Sequence, residues 1–209
     1  MRITVFGASG RTGVPFVRQA VARGHDVVAF VRNADRFPVT DESVTVVEGD
    51  AYEGTGVRDA VRDADAVVSV LGQTKSGPDD LLTVAGDTVV AAMRDEGVSR
   101  YVTLVGAGVR KDGESVSLSG KVMGTLLKVL AGEVLDDATE HVRRVRARDL
   151  EWTAVRAPRL TDDEATGEYR HGDIDLGFES IARGDVATFL LDCVGDDLYV
   201  HDLPKVGPA

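Results

Sequence analysis

The sequence has a single cysteine, Cys193, so the chain can form no internal disulfide. It has no apolar run that approaches the ~20 residues needed to span a bilayer. Its first apolar stretch is short and leads directly into glycines, which is unlike a secretion signal. These absences predict a cytoplasmic protein without a membrane segment.

Positive charge is also scarce, because the 209-residue chain carries a formal net charge of -11. An acidic surface repels the phosphate backbone, which argues against general nucleic-acid binding. No two cysteines or histidines have the spacing of metal ligands, so we predict no metal site. Hydrophobic residues make up 43% of the chain, which is ample material for a core.

Short apolar strands alternate with helical segments through the first two thirds of the chain. Strands are predicted at residues 2–6, 26–31, 44–47, 66–71, 101–105 and 152–155, and the main helices at residues 79–96 and 121–148. Strands that are apolar throughout fit a parallel sheet covered by helices on both faces. Residues 162–177 look irregular, residues 180–191 helical, and residues 198–200 like a last short strand. No repeat or linker is visible, so we predict one α/β domain over residues 1–209.

The first strand leads into a glycine-rich loop, GASGRTG, which a helix follows. A pyrophosphate needs backbone N–H groups and a helix N-terminus that point toward it without side chains in the way. Gly7 permits the tight turn, Gly10 the close approach of the phosphates, and Gly13 the packing of helix on strand. A glycine-rich turn without a ligand is the alternative. We predict a dinucleotide site made by Gly7, Ala8, Ser9, Gly10, Arg11, Thr12 and Gly13.

The second strand indicates which nucleotide is bound. NAD-selective sites place an acid at the carboxyl end of this strand, but Asp26 lies at its beginning. Arg32 lies at its end, and a guanidinium there can pair with a 2′-phosphate. Arg32 therefore favours NADP(H) over NAD(H), with a solvated surface arginine as the alternative. Asp50, just after the third strand, is placed to accept a hydrogen bond from the adenine amino group.

These segments resemble the atypical short-chain dehydrogenases that bind NAD(P), in particular the NmrA-like and biliverdin reductase B (flavin reductase)-like group. The matching segments are GASGRTG at residues 7–13, VR at 31–32, EGD at 48–50, VLG at 70–72 and LEWTAVRAP at 150–158. The resemblance implies a Rossmann-type, doubly wound sheet ordered 3-2-1-4-5-6, with room for a seventh short strand. It also implies that residues 159–209 form a small segment over the substrate. The nicotinamide half of the cofactor is expected beside Leu71, Gly72, Gln73, Val105, Gly106 and Pro158.

The catalytic residues of the superfamily are missing at the matching positions. Many members use a tyrosine with a lysine four residues later, which exchange a proton with a carbonyl. Those positions correspond to Val134 and Ala138, while Ser117 and Lys121 have a similar spacing but lie too early. The serine and histidine of the biliverdin reductase-like members correspond to Gly106 and Arg159. We therefore expect no ketone or alcohol chemistry that depends on either arrangement.

A few side chains remain as candidates for contact with a substrate. Gln73 could orient a carboxamide, and Arg159 could hold an anion. Arg156 could do the same or be a structural ion-pair partner. Tyr169, with His171, lies in the segment expected to cover the pocket. His141 is expected on a helix surface, and Cys193 in the core.

Three functions remain open on these residues. The first is a reductase that transfers hydride from NADPH to a flavin, a quinone or a similar planar acceptor, which needs no side-chain acid. The second is a non-catalytic redox sensor that binds NADP(H). The third, a sugar-nucleotide epimerase or dehydratase, needs the missing tyrosine and lysine. In each case we expect a small-molecule ligand, no nucleic acid and no membrane, and a monomer or homodimer.

Overall fold

The computed structural model describes residues 1–73, 77–111, 113–114 and 118–209, without the side chains of residues 118–131. Its strands are β1 (Arg2–Phe6), β2 (Asp26–Val31), β3 (Val44–Glu48), β4 (Ala66–Ser69), β5 (Arg100–Gly106), β6 (Glu151–Ala157), β7 (Arg159–Thr161), β8 (Tyr169–Gly172), β9 (Ser180–Ala182) and β10 (Lys205–Pro208). Its helices are α1 (Gly13–Ala22), α2 (Val57–Val61), α3 (Leu81–Glu96), α4 (Leu118–Arg146) and α5 (Arg183–Gly195).

Eight strands form one sheet, in the order β3-β2-β1-β4-β5-β6-β10-β8. All neighbours are parallel except β8, which runs antiparallel to β10 at the edge. β7 and β9 form a separate parallel pair. The predicted order 3-2-1-4-5-6 is confirmed, and so is the doubly wound Rossmann-type architecture.

The alternation of side chains along each strand divides the interior into two cores. On β1, Ile3 and Val5 pack with α1 and α5, whereas Phe6 packs on the opposite face with α2, α3 and α4. All three side chains are fully buried. Burial of a side chain of this size contributes about 1.5–3 kcal/mol to stability. Both faces of the sheet are therefore covered, as strands that are apolar throughout require.

The last fifty residues differ from the sequence prediction. Residues 198–200 form a turn, and the strand that extends the sheet is β10, a few residues later. The segment expected to be irregular contains β8, and residues 180–182, expected to begin the last helix, form β9 instead. These strands are three or four residues long and are defined by their partners, so they leave little hydrophobic periodicity in the sequence.

Candidate functional site

The glycine-rich loop makes a tight turn between β1 and α1. Gly7 has a positive φ of 83°, and a Cβ there would lie 2.9 Å from the carbonyl oxygen of Val70 at the end of β4. A Cβ on Gly13 would lie 2.1 Å from the carbonyl oxygen of Gly7. Only glycine fits at either position, because the start of α1 is pressed against the ends of two strands. The roles predicted for Gly7 and Gly13 agree with this geometry.

The N-terminus of α1 has no anionic partner within its own sequence. Thr12, at the N-cap, makes no side-chain capping hydrogen bond, and the first turn contains no acidic residue. The N–H groups of a first helical turn have no acceptor inside the helix, and the helix dipole favours an anion beside them. Ser9 and Gly10 are exposed in front of this turn. The loop can therefore receive a phosphate group.

A cleft of about 460 Å³ crosses the carboxyl ends of β1 to β4. Ligands of open parallel sheets bind in this crevice, where the strand order changes direction beside β1. The cleft is lined by Gly7, Ser9, Gly10, Phe30, Val31, Arg32, Asp50, Ala51, Tyr52, Glu53, Val70, Leu71, Gly72, Gly77, Pro78 and Leu81. Seven of the residues predicted from the sequence to bind the cofactor are among them: Gly7, Ser9, Gly10, Arg32, Asp50, Leu71 and Gly72.

The β3 side of the cleft is shaped by the turn that follows Glu48. Asp50 accepts hydrogen bonds at Oδ1 from the backbone N–H groups of Tyr52 (2.8 Å) and Glu53 (3.3 Å). The phenol of Tyr52 donates to Oδ1 of Asp80 at 3.0 Å, which raises the pKa of Tyr52. This bond joins the β3 side of the cleft to the start of α3. The sequence analysis did not identify Tyr52, although it lies two residues beyond Asp50.

Arg32 lies where β2 ends, exposed and facing the cleft. Within the described part of the chain, no residue forms an ion pair or a hydrogen bond with its guanidinium. The acid nearest in the strand register, Glu48, is engaged elsewhere, because its Oε2 accepts from the N–H of Ala34 at 2.8 Å. Asp26 is paired in register with Arg2, at the opposite end of the sheet. The positive charge of Arg32 is thus available to a ligand.

The strand ends on the other side of β1 offer open space. A Cβ on Gly72 or on Gly106 would meet no atom within 4 Å. Gly106 is exposed at the end of β5, whereas Val105 is buried and Pro158 is half-buried. These residues stay predictions for the nicotinamide half, because none of Val105, Gly106 and Pro158 lines the cleft described above.

Several predicted residues support the loop rather than face the cleft. Ala8, Thr12 and Gly13 are buried. The guanidinium of Arg11 pairs with Asp162 at 3.2 Å, and both side chains are largely exposed. Asp162 also pairs with Arg183 at 2.7 Å, so it joins the glycine-rich loop to the start of α5. Exposed pairs of this kind contribute little stability.

The three catalytic candidates lie on different elements of the fold. Gln73 follows Gly72 and donates from its amide to Asp137, whereas Arg159 is exposed at the start of β7. Tyr169 lies on β8, with three strands between it and β4. Its phenol donates to Asp192 at 2.5 Å, and burial together with this bond raises its pKa. The structure does not bring these three side chains into one group.

The positions that correspond to the missing tyrosine and lysine lie on α4. Val134 is 44% exposed, and Ala138 is buried. Ser117 lies outside the described residues, as does the side chain of Lys121. Among the described residues there is no cluster of three or more histidine, cysteine or acidic side chains that could hold a metal ion.

Arg156 is a structural residue. It is 2% exposed, and its guanidinium pairs with Glu114 at 2.6 Å and donates to the carbonyl oxygens of Val109 and Leu203. Burial opposes ionisation of Glu114, but hydrogen bonds from Lys205 and Arg156 hold its pKa at about 2. Of the two roles considered for Arg156, the structure therefore shows the ion-pair partner.

The prediction that His141 lies on a helix surface is wrong. The imidazole is 2% exposed and makes a 3.2 Å contact from Nε2 to Oγ1 of Thr103. Gly86 of α3 leaves room for the ring, because a Cβ there would lie 2.3 Å from Nδ1. Burial lowers the pKa of His141 to about 4. Cys193 is buried, as expected, and burial raises its pKa to about 12.

A glycine-rich turn and a helix N-terminus at the switch point of a parallel sheet define a dinucleotide-binding protein of the Rossmann type. Exposed Ser9 and Gly10, in front of the first turn of α1, leave room for the phosphates of a dinucleotide. The chain belongs to the NAD(P)H-binding family, which matches residues 7–197. Within the described residues, no helix is long and apolar enough to cross a membrane.

Individual proteins resemble this chain over most of its length. The uncharacterized protein YwnB of Bacillus subtilis is 29% identical over 203 residues, which cover 92% of this chain and 91% of YwnB. The anaerobillin reductase ChuY of Escherichia coli O157:H7 superposes with a TM-score of 0.82 at 22% identity, over 100% of this chain and 97% of ChuY. A short-chain dehydrogenase/reductase of Veillonella parvula gives a TM-score of 0.81 at 18% identity, over 99% and 94% of the two chains. The predicted NAD(P)-binding family is confirmed, and the similar solved structures share its fold.

Proposed function

We propose that this protein binds NADPH in preference to NADH and transfers its hydride to a small planar acceptor such as a flavin or a quinone. One observation carries the cofactor preference. At the end of β2 the guanidinium of Arg32 faces the cleft, and none of the residues that the structure describes pairs with it. In this fold the ribose 2′-position lies at the end of that strand, where an acid selects NAD and an arginine accommodates the 2′-phosphate.

The rest of the cleft accommodates the other parts of the nucleotide. Ser9 and Gly10, with the N-terminus of α1, would hold the pyrophosphate. Asp50 and Tyr52 would flank the adenine. The nicotinamide would then lie over the ends of β4 and β5, because a dinucleotide extends from one half of the sheet to the other across β1.

The acceptor follows from what surrounds the nicotinamide position. Bound NADPH supplies a hydride, and the protein has to place a flat acceptor against it. Gly72 and Gly106 leave open space at the two strand ends where a flat ring could lie. No proton donor stands at positions 134 and 138, which disfavours carbonyl reduction and the epimerase alternative. Flavins and quinones accept a hydride without a dedicated side-chain acid.

A small-molecule reductase of this kind would work in a reducing compartment, where a lone buried thiol such as Cys193 persists. The segment from residue 159 onward would cover the acceptor. Its link to the loop through Asp162 and Arg11 supports this placement.

The test is a titration of NADPH and NADH followed by protein fluorescence, then NADPH oxidation with riboflavin, FMN and small quinones. In Arg32→Glu we expect NADPH to bind about 10- to 100-fold more weakly, because a charge-assisted contact is lost. NADH affinity should not fall and is expected to rise, because the glutamate can accept a hydrogen bond from the ribose hydroxyl of NADH. Arg18→Glu is the matched control, because it makes the same charge change on an exposed residue of α1 outside the cleft. Equal losses in the two variants would contradict a specific role for Arg32.

A second function is favoured by the same missing proton donor. A redox sensor would bind NADP(H) without turnover and report its redox state to a partner. NADPH that binds tightly but is oxidised by no acceptor would support the sensor. Acceptor-dependent oxidation would support the reductase.

A further inference from the structure

Asp137 of α4 is a buried carboxylate that joins three segments of the chain. It is 7% exposed. Its Oδ2 accepts hydrogen bonds from the N–H of Leu82 at 2.8 Å and from Nε2 of Gln73 at 3.0 Å, and its Oδ1 accepts from the N–H of Thr83 at 2.9 Å. Thr83 also donates from its hydroxyl to the carbonyl oxygen of Asp137 at 3.2 Å. The carboxylate therefore fixes the start of α3 and the segment after β4 at the same time.

Both of these segments form walls of the nucleotide cleft. Leu71 and Gly72, directly before Gln73, line it, and so does Leu81, the first residue of α3. The amide of Gln73 also donates to the carbonyl oxygen of Asp79, which ties the two segments together. Asp137 itself does not line the cleft, so any influence on a ligand has to pass through these neighbours.

The local sequence of α3 already offers a capping residue. Asp80 stands at the N-cap, but its carboxylate makes no capping bond and accepts from the phenol of Tyr52 instead. The cap comes from Asp137, which accepts from the N–H of Leu82 and lies 55 residues beyond that residue. A helix cap alone would need only Asp80. Instead, α3 is capped by a carboxylate of α4 that also binds Gln73. This second contact connects Asp137 to the wall of the cleft.

We propose that Asp137 is a positioning residue of the nucleotide site, which acts through Gln73 to hold the Leu71–Gly72 wall where the nicotinamide half of the cofactor lies. This role rests on the proposed function. The adenosine half lies on the other side of the glycine-rich loop, next to Arg32 and Asp50. Loss of the contact between Asp137 and Gln73 should therefore affect the two halves of the cofactor unequally.

The test compares two probes, NADPH and 2′,5′-ADP, which lacks the nicotinamide half. Their dissociation constants are measured by calorimetry for the wild-type protein, Asp137→Asn, Gln73→Leu and the double variant. Gln73→Leu keeps the cap on α3 and removes the two hydrogen bonds of the Gln73 amide, to Asp137 and to the carbonyl oxygen of Asp79. We expect each single variant to bind NADPH about 10-fold more weakly, and Gln73→Leu to bind 2′,5′-ADP within about 2-fold of wild type. The double variant should bind NADPH no more weakly than the Asp137→Asn variant, because both substitutions break the same contact between Asp137 and Gln73.

Asp87→Asn is the matched control. Asp87 joins α3 to Arg144 of α4 and to Arg148 just after that helix, but it does not line the cleft. It should leave the ratio of the two dissociation constants unchanged, even if the melting temperature falls. A ratio that stays at the wild-type value in Gln73→Leu, or an equal loss of both probes in every variant, would overturn the positioning role alone. If the wild-type protein bound neither probe, the proposed function would fail with it.

Discussion

Acidification should destabilise this protein through one buried histidine, His141. In the folded protein burial lowers the pKa of His141 to about 4, although Asp137 and Asp87 attract a proton to the ring. In the unfolded chain a histidine has a pKa near 6.5. The folded state therefore excludes a proton that the unfolded state binds, and its stability falls as pH decreases through this interval.

The size of the effect follows from the two pKa values. The stabilisation is fully present above pH 6.5 and is lost progressively as the pH falls toward 4, below which both states bind the proton. Each pKa unit corresponds to about 1.4 kcal/mol, so the loss between pH 7 and pH 5 should be about 2 kcal/mol. This is a large fraction of the stability of a domain of this size.

Urea unfolding at pH 7, 6 and 5, followed by circular dichroism, measures this loss. Other groups titrate in the same range, so the quantity of interest is the difference between wild type and His141→Gln. Glutamine can still contact Thr103 but binds no proton in this range. We expect the variant to lose about 2 kcal/mol less than wild type between pH 7 and pH 5. Equal losses in the two proteins, or an imidazole that titrates near pH 6.5 in the folded protein by NMR, would refute the reasoning.

Four further substitutions test packing and charge. Gly86→Ala would place a methyl against the imidazole of His141 on α4. It should lower the free energy of unfolding by about 1–3 kcal/mol. Gly132→Ala, in α4, meets no atom within 4 Å of the new methyl. It should raise the free energy of unfolding by up to about 1 kcal/mol. Urea midpoints that shift in the same direction in both variants would contradict this contrast. Gly13→Ala should cost about 2 kcal/mol or more and abolish NADPH binding, so a variant with normal affinity would disprove the tight turn. Glu114→Gln leaves the guanidinium of Arg156 without its counter-charge and should cost about 3 kcal/mol at pH 7. The Glu114 difference should shrink as pH falls from 4.5 toward 2, because the folded pKa lies at about 2; a difference that does not depend on pH would contradict the ion pair.

The first two thirds of the fold were predictable because each element carries its own pattern. β1, β2 and β4 are mostly apolar and buried on both faces, as a doubly covered parallel sheet requires. The glycine-rich loop was predictable for a similar reason. The steric demand at Gly7 and Gly13 comes from the adjacent strand and helix, so it leaves a local signature in the sequence.

The last fifty residues were less predictable. β8, β9 and β10 contain three or four residues each, and the polar strand β8 has no alternating pattern. Such strands form because a partner strand supplies their hydrogen bonds. The residues that determine where these strands form are therefore spread over distant parts of the chain.

The sequence by itself determined the approximate positions of the first six strands, the glycine-rich turn and the arginine at the end of β2. Each of these depends on residues close together in the chain. Only the tertiary structure decided that Asp137 and His141 are buried, and that Gln73 is held by a carboxylate from another helix. A polar side chain is buried only when a partner satisfies its hydrogen bonds. Here the partners are 38 to 64 residues away, at a separation where no periodicity in the sequence could reveal them.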